Sequence, residues 1–295
     1  MQTRSPSQLR QSGMTIVELI AVIVVSGVLA TGVVTYVMQS AEGISSTASR
    51  NQLATVGRIA VDRLAMELNN ALPNSIRHLN AGGRECIEFI PVRAATTYID
   101  PPFTGLGGDE FDVVDFVPSQ QGATDGYAVV YPNRIEQLYA GDIGLSSGWP
   151  EFADRGPIQS IDAITASAAA NQTTIGLSKT HRFPRRSPTD RFFVVDDPVS
   201  FCIAGTNLYR YTNYGFYTSQ VTMETPGACG ERCLPNYTSA PDKMLITNSI
   251  NSAESSFTVG QQTMTRNALI GINLTFAANG DSVMLSHEMM TRNVP

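Results

Sequence analysis

Twenty consecutive residues without a charge, Leu19 to Met38, constrain this chain more than any other stretch. At ~1.5 Å of helical rise each they span roughly 30 Å, the hydrocarbon thickness of one bilayer. A lone carboxylate, Glu18, stands at the mouth of the run, where burial without a partner is costly. Ahead of it lies a thirteen-residue leader that holds Arg4 and Arg10, no acid, and ends in Gly13. A conventional secretory signal has ~7–15 apolar residues and a small-residue cleavage site. Here the run is longer and is headed by Glu18, and its best small-residue site, Val28-Leu29-Ala30, lies in the middle of the helix. A plain membrane anchor would explain the length but neither Gly13 nor Glu18. The basic leader is expected to stay cytoplasmic, with the bulk of the chain on the other side of the membrane.

Helical periodicity continues past Met38. Leu53, Val56, Ala60, Leu64, Leu68 and Leu72 recur every three or four residues, while Arg58, Asp62, Arg63, Glu67 and Asn69 take the opposite face. Gly43-Ile-Ser-Ser-Thr47 is a weak point between the two halves, and Pro73-Asn74 closes the helix. From Met14 to Leu72 such a helix would run roughly 90 Å. Short β-type runs follow, separated by turn residues. They are 85–92, 111–117, 127–131, 158–164, 173–177, 191–195, 199–204, 208–212, 244–250, 256–259, 268–277 and 282–289. The last two flank Asn279-Gly280, the strongest hairpin signal in the chain. Ile270, Ile272, Leu274 and Phe276 alternate with Gly271, Asn273 and Thr275, which predicts one buried and one wetter face. A change of composition between about 140 and 190 marks an inserted lobe or long loop region.

A short basic leader, Gly13, and then Met14-Thr-Ile-Val-Glu18 opening an apolar helix resemble the N-terminus of type IV prepilins. The resemblance implies that a prepilin peptidase cuts between Gly13 and Met14 and methylates the new amino terminus at Met14, where that family usually has Phe. It also implies that Glu18 pairs with the free first-residue amine of a neighbouring subunit during assembly. Residues 58–77 look like the helix end of large minor pilins. Cys86-Ile-Glu-Phe-Ile-Pro-Val92 and residues 187–202 look like the MshO-type minor pilin of mannose-sensitive haemagglutinin (MSHA) pili. The tail, 286–295, is similar to that group and to the J-type pseudopilins of type II secretion.

What the resemblance implies is an α+β, pilin-like fold, a long N-terminal helix packed on an antiparallel β-sheet with a loop-rich insertion. Its segments would be a cleaved leader (1–13), a transmembrane or filament-core half-helix (14–38), an amphipathic half-helix (39–72) and an extracytoplasmic β-rich domain (73–295). The subunit would enter the bacterial inner membrane as a single-pass protein with its domain in the periplasm, then move to a pilus on the cell surface. Its partners would be the prepilin peptidase, other major and minor pilins, the inner-membrane assembly platform and, before assembly, the lipid bilayer. The implied function is to initiate, assemble or modulate a type IV pilus of the MSHA type. A J-type pseudopilin of type II secretion is the first alternative and an adhesive or DNA-binding tip pilin the second.

Formal charge is −6, and loss of a leader with two basic residues takes it to −8, so general binding to nucleic acid is not expected. Export to an oxidising compartment makes disulfides the natural use of the four cysteines. Three connectivities are open; the strand-like settings of Cys86 and Cys202 and the short spacing of Cys229 and Cys233 favour 86–202 and 229–233. Zinc lacks partners, since His78, His181 and His287 are scattered. No cofactor is expected, although Asp109-Glu-Phe-Asp112 with Asp115 after a Gly-rich turn is a candidate for calcium, weighed against a plain acidic turn.

The basic stretch 179–191, with Phe183 inside it, is a candidate for phosphates, weighed against a solvated loop beside Asp196 and Asp197. Trp149 and the aromatic run Tyr209–Tyr217 could line a sugar or protein surface, though alternating rings on a strand more often pack across strands. Enzymatic activity is not expected. No Gly-x-Ser-x-Gly or His-Glu-x-x-His motif occurs, and His287 and Glu288 point to opposite faces of a strand.

Overall fold

The computed structural model describes residues 14–81, 84–116, 125–139, 156–216, 242–260 and 268–291. Two compact units divide after Asn51. The first is helical: α1 (Ile16–Asn69) begins in it and is unbroken through Gly43. From Leu19 to Met38 its side chains are exposed all round, as an all-apolar helix is before lipid or protein covers it.

In the second unit the rest of α1 is amphipathic. Leu53, Gly57, Ala60, Val61, Leu64, Ala65 and Leu68 are buried, and Val56 is half-buried. The helix stops at Asn69, three residues before the expected Leu72. Ala71 is drawn into a bridge with Pro91, and the Leu72 N–H donates to the Ile90 carbonyl at 2.7 Å instead of to the helix.

Two sheets pack on this half of α1. The first runs in the order β1 (Arg77–Ala81), β2 (Arg84–Phe89), β9 (Val199–Ala204), β10 (Asn207–Thr212), β11 (Asp242–Thr247). The second is β12 (Ser256–Val259), β13 (Leu269–Ala278) and β14 (Asp281–Met290). Ile87, Phe89, Phe201 and Ile203 of the first join Phe257, Ile270, Ile272, Leu274 and Phe276 of the second in one core with the helix. Asn279 and Gly280 both take positive φ, as a two-residue type I′ hairpin between β13 and β14 requires. The opposite face of β13 is drier than its alternation suggests. Gly271 and Thr275 are buried because Thr258 and the Ser252–Glu254 turn lie across them.

The insertion lies between β2 and β9 and begins well before residue 140; of the expected 140–190 segment, 140–155 lies outside the described residues and the remainder is mostly strand. Residues 92–195 contribute β3 (Val92–Thr97), β4 (Gly108–Val114), β5 (Tyr127–Val130), α2 (Ile135–Tyr139), β6 (Ile158–Ala166), β7 (Gln172–His181) and β8 (Arg191–Val195). These strands form an antiparallel sheet in the order β3-β8-β5-β6-β7-β4. Its two edges meet at the Tyr98–Val113 bridge, so the sheet curls into a barrel. Phe111, Val113, Ala128, Val130, Ile161, Ile164, Ile175, Phe192 and Val194 fill the interior, and the alternate residues Val129, Phe193 and Val195 pack outward.

The strand expected over 85–92 is therefore two strands. Pro91 has no N–H to donate, and at that residue the chain leaves the β2–β9 ladder for the β3–β8 ladder. β1 and α2 have no periodic signature of their own, and pairing and packing create them.

Candidate functional site

The helix start is built locally. Thr15 precedes the first helical residue, its carbonyl accepts the Leu19 N–H at 3.1 Å, and its Oγ1 accepts the Glu18 N–H at 3.3 Å. Thr15-x-x-Glu18 is thus a capping-box spacing, a signal legible in sequence that the motif reading passed over. It places the Glu18 carboxylate in the first turn, where the helix dipole favours negative charge. Met14 is exposed at the end of the described chain. Gly13, the other side of the expected cleavage point, lies outside the described residues. Among the described residues, α1 is the one helix long and apolar enough to cross a membrane.

Cys86 and Cys202 sit directly opposite each other on β2 and β9 and are joined as a disulfide. Cys229 and Cys233 lie outside the described residues, as do Trp149 and Tyr217. Beside the disulfide, Tyr211 and Tyr214 are buried, Phe216 packs instead against Tyr127 and Tyr139, and the ammonium group of Lys243 lies 3.8 Å from the Tyr209 ring centroid, so the described part of the aromatic run, Tyr209 to Phe216, is packed. Glu88 is wholly buried on the same face, bonded by Arg77 at 2.5 Å and by the Tyr214 hydroxyl at 3.0 Å. Burial pushes its carboxyl above the usual range, and Arg77 and Tyr214 hold it back only in part.

Residue contacts in the barrel reduce the chemistry of the other motifs. Asp112 and Asp115, the candidate calcium carboxylates, accept hydrogen bonds from Thr174 and Thr173, each at 2.7 Å. Strand pairing sets Gly108 opposite His181, but Glu110 and Asp112 lie opposite Gly176 and Thr174, so the acidic stretch faces the uncharged half of β7 and meets the basic stretch at Gly108 alone. Phe183 and His181 are buried with their rings 4.6 Å apart, and Arg186 lies over the Phe103 ring, so the aromatics of the basic stretch belong to the core and leave no stacking platform. His287 is half-buried opposite Ile272 while Glu288 is exposed opposite Gly271, on the two faces of β14.

A polar constellation that the motifs did not indicate lies where the chain passes between barrel and sheet. Arg93 on β3 pairs with Asp125 at 3.0 Å and with Asp196, while the Tyr127 hydroxyl donates to Asp197 at 3.1 Å. These residues are up to just over a hundred positions apart, and the antiparallel pairing of β3 and β5 on either side of β8 brings them together. No protein-family model, curated protein or solved structure matches the chain.

Proposed function

We propose that this protein is a pilin-type subunit, a minor pilin that takes part in initiating, assembling or modulating a type IV pilus of the MSHA type, and that it is not an enzyme. One observation carries the reading: Gly13-Met14 and Glu18 stand at the head of an apolar helix exposed on every side. Such a surface needs lipid first and an equally apolar destination afterwards, and a bundle of like helices supplies one. Glu18 then requires a cation in a medium of low dielectric constant, where an unpaired charge costs several kcal/mol. Cleavage after Gly13 creates the amine that satisfies it, so processing and assembly are chemically coupled. The implied partners are a prepilin peptidase, other pilins and an inner-membrane assembly platform.

The test is the N-terminal peptide mass of this protein in filaments sheared from cells. A methylated peptide beginning at Met14 is the expected result. An intact leader, or a chain confined to the membrane and missing from filaments, overturns the reading.

A further inference from the structure

A cleft of about 580 Å³ opens between the inserted barrel and the five-stranded sheet. That volume falls in the range of small-ligand sites, roughly 300–1,000 Å³. Its cations are already engaged. Arg93 holds Asp125 through two bonds of 3.0 Å and also pairs with Asp196. Arg210 is bonded to Glu67 of α1 at 2.8 and 3.1 Å.

Asp197, on the β8–β9 connection, is different. It accepts the Tyr127 hydroxyl and, among the described residues, no other hydrogen bond. Burial first, and then the charges of Asp196 and Asp125, push its carboxyl up. A carboxylate so placed gains most from a donor that also carries positive charge. A metal ion is a poor fit, because among the described residues no three His, Cys, Asp or Glu side chains are arranged to hold one.

We propose that this cleft binds an organic ammonium or guanidinium group, seated against the Asp197 carboxylate with the Tyr127 hydroxyl beside it. The group is either a free small amine or a basic side chain of a partner protein. Both present N–H donors and a single positive charge, and a lining that includes Asp125, Asp196, Asp197, Ser160, Thr212 and Asn213 suits a hydrated cation over an apolar ligand. This inference is independent of filament assembly.

The experiment uses the full chain in detergent micelles, titrated calorimetrically with n-butylamine hydrochloride against sodium chloride of equal ionic strength. Saturable binding is expected, weakened by about tenfold or more in Asp197→Asn, in keeping with the loss of one charge-assisted hydrogen bond. It should be unchanged in Asp109→Asn, which lies outside the cleft. Absence of saturable binding, or equal affinity in Asp197→Asn, overturns the proposal.

A second measurement needs no variant. Carbodiimide coupling of isotope-labelled butylamine to the native protein should mark half-buried Asp197 in preference to Asp125, whose side chain is 75% exposed. Preference for Asp125 overturns the proposal. Carbodiimide treatment of intact cells without added amine then separates the sources. An amide between Asp197 and a lysine of another chain assigns the group to a partner, and binding of butylamine without such a link assigns it to a free amine.

Discussion

Under the proposed function, Glu18 would serve two stages with one carboxylate. In the isolated chain it occupies the first turn of α1 beneath the Thr15 cap, where the dipole and the freed N–H groups favour it by about 0.3–1 kcal/mol. In the proposed filament the same group would pair with a neighbour's amine, a far larger effect because water is absent. Glu18→Ala should therefore leave cleavage after Gly13 intact while lowering the amount of subunit in sheared filaments, on the order of tenfold or more. Quantitative immunoblotting of filament and membrane fractions checks this, and normal incorporation removes the pairing role. Glu88 poses the opposite case, a carboxylate buried for good. Its folded pKa is raised above 4.5, so its contribution to stability is complete below that pH and is lost as pH rises through the folded value. A double replacement, Arg77→Met with Glu88→Leu, removes both charges together. Denaturant titrations across pH 4 to 8 should find this variant gaining on the parent as pH rises, whereas Arg77→Met alone should cost about 3–5 kcal/mol by stranding Glu88.

At the scale of elements, the register of α1 on the sheets depends on one missing side chain. A Cβ at Gly57 would lie 2.6 Å from a Leu285 methyl carbon and 2.8 Å from the buried Phe276 ring. Alanine gains about 1 kcal/mol of helix propensity there, but overpacking costs about 1–3 kcal/mol. Gly57→Val adds a β-branch to the same clash and should lower stability by about 2 kcal/mol or more, whereas exposed Ile59→Ala should shift it by less than about 0.5 kcal/mol. Thermal unfolding of both variants in detergent decides the point. The 3.6-residue period of α1 and the Asn-Gly hairpin were legible in advance because each depends on neighbouring residues alone. β1 was not, since Arg77-His-Leu-Asn-Ala81 has no strong alternation and becomes a strand by pairing with β2. Pro91 could have warned that one strand was two, because a proline without a donor seldom sits within a central ladder.

For the β-rich unit as a whole, the disulfide does what the topology asks of it. Cys86 and Cys202 are 116 residues apart and clamp the two strands between which the entire barrel is inserted. Closing a loop of that length constrains the unfolded chain strongly, so Cys86→Ala with Cys202→Ala should cost about 2–4 kcal/mol. Equal unfolding midpoints for the double variant and the parent would show that the ladder holds the barrel without the clamp. Local pattern was enough to assign a helix of membrane-spanning length, its amphipathic continuation, most of the strands and the charge that opens the helix, because a run of side chains states its own period and polarity. Tertiary structure alone decided that residues 92–195 close into a barrel, that Pro91 ends one ladder and starts the next, and that Arg93, Asp125, Asp196 and Asp197 share one cleft. Those outcomes rest on pairings between residues tens to a hundred positions apart, whose free energy comes from burying two surfaces against each other and so has no signature in either segment alone.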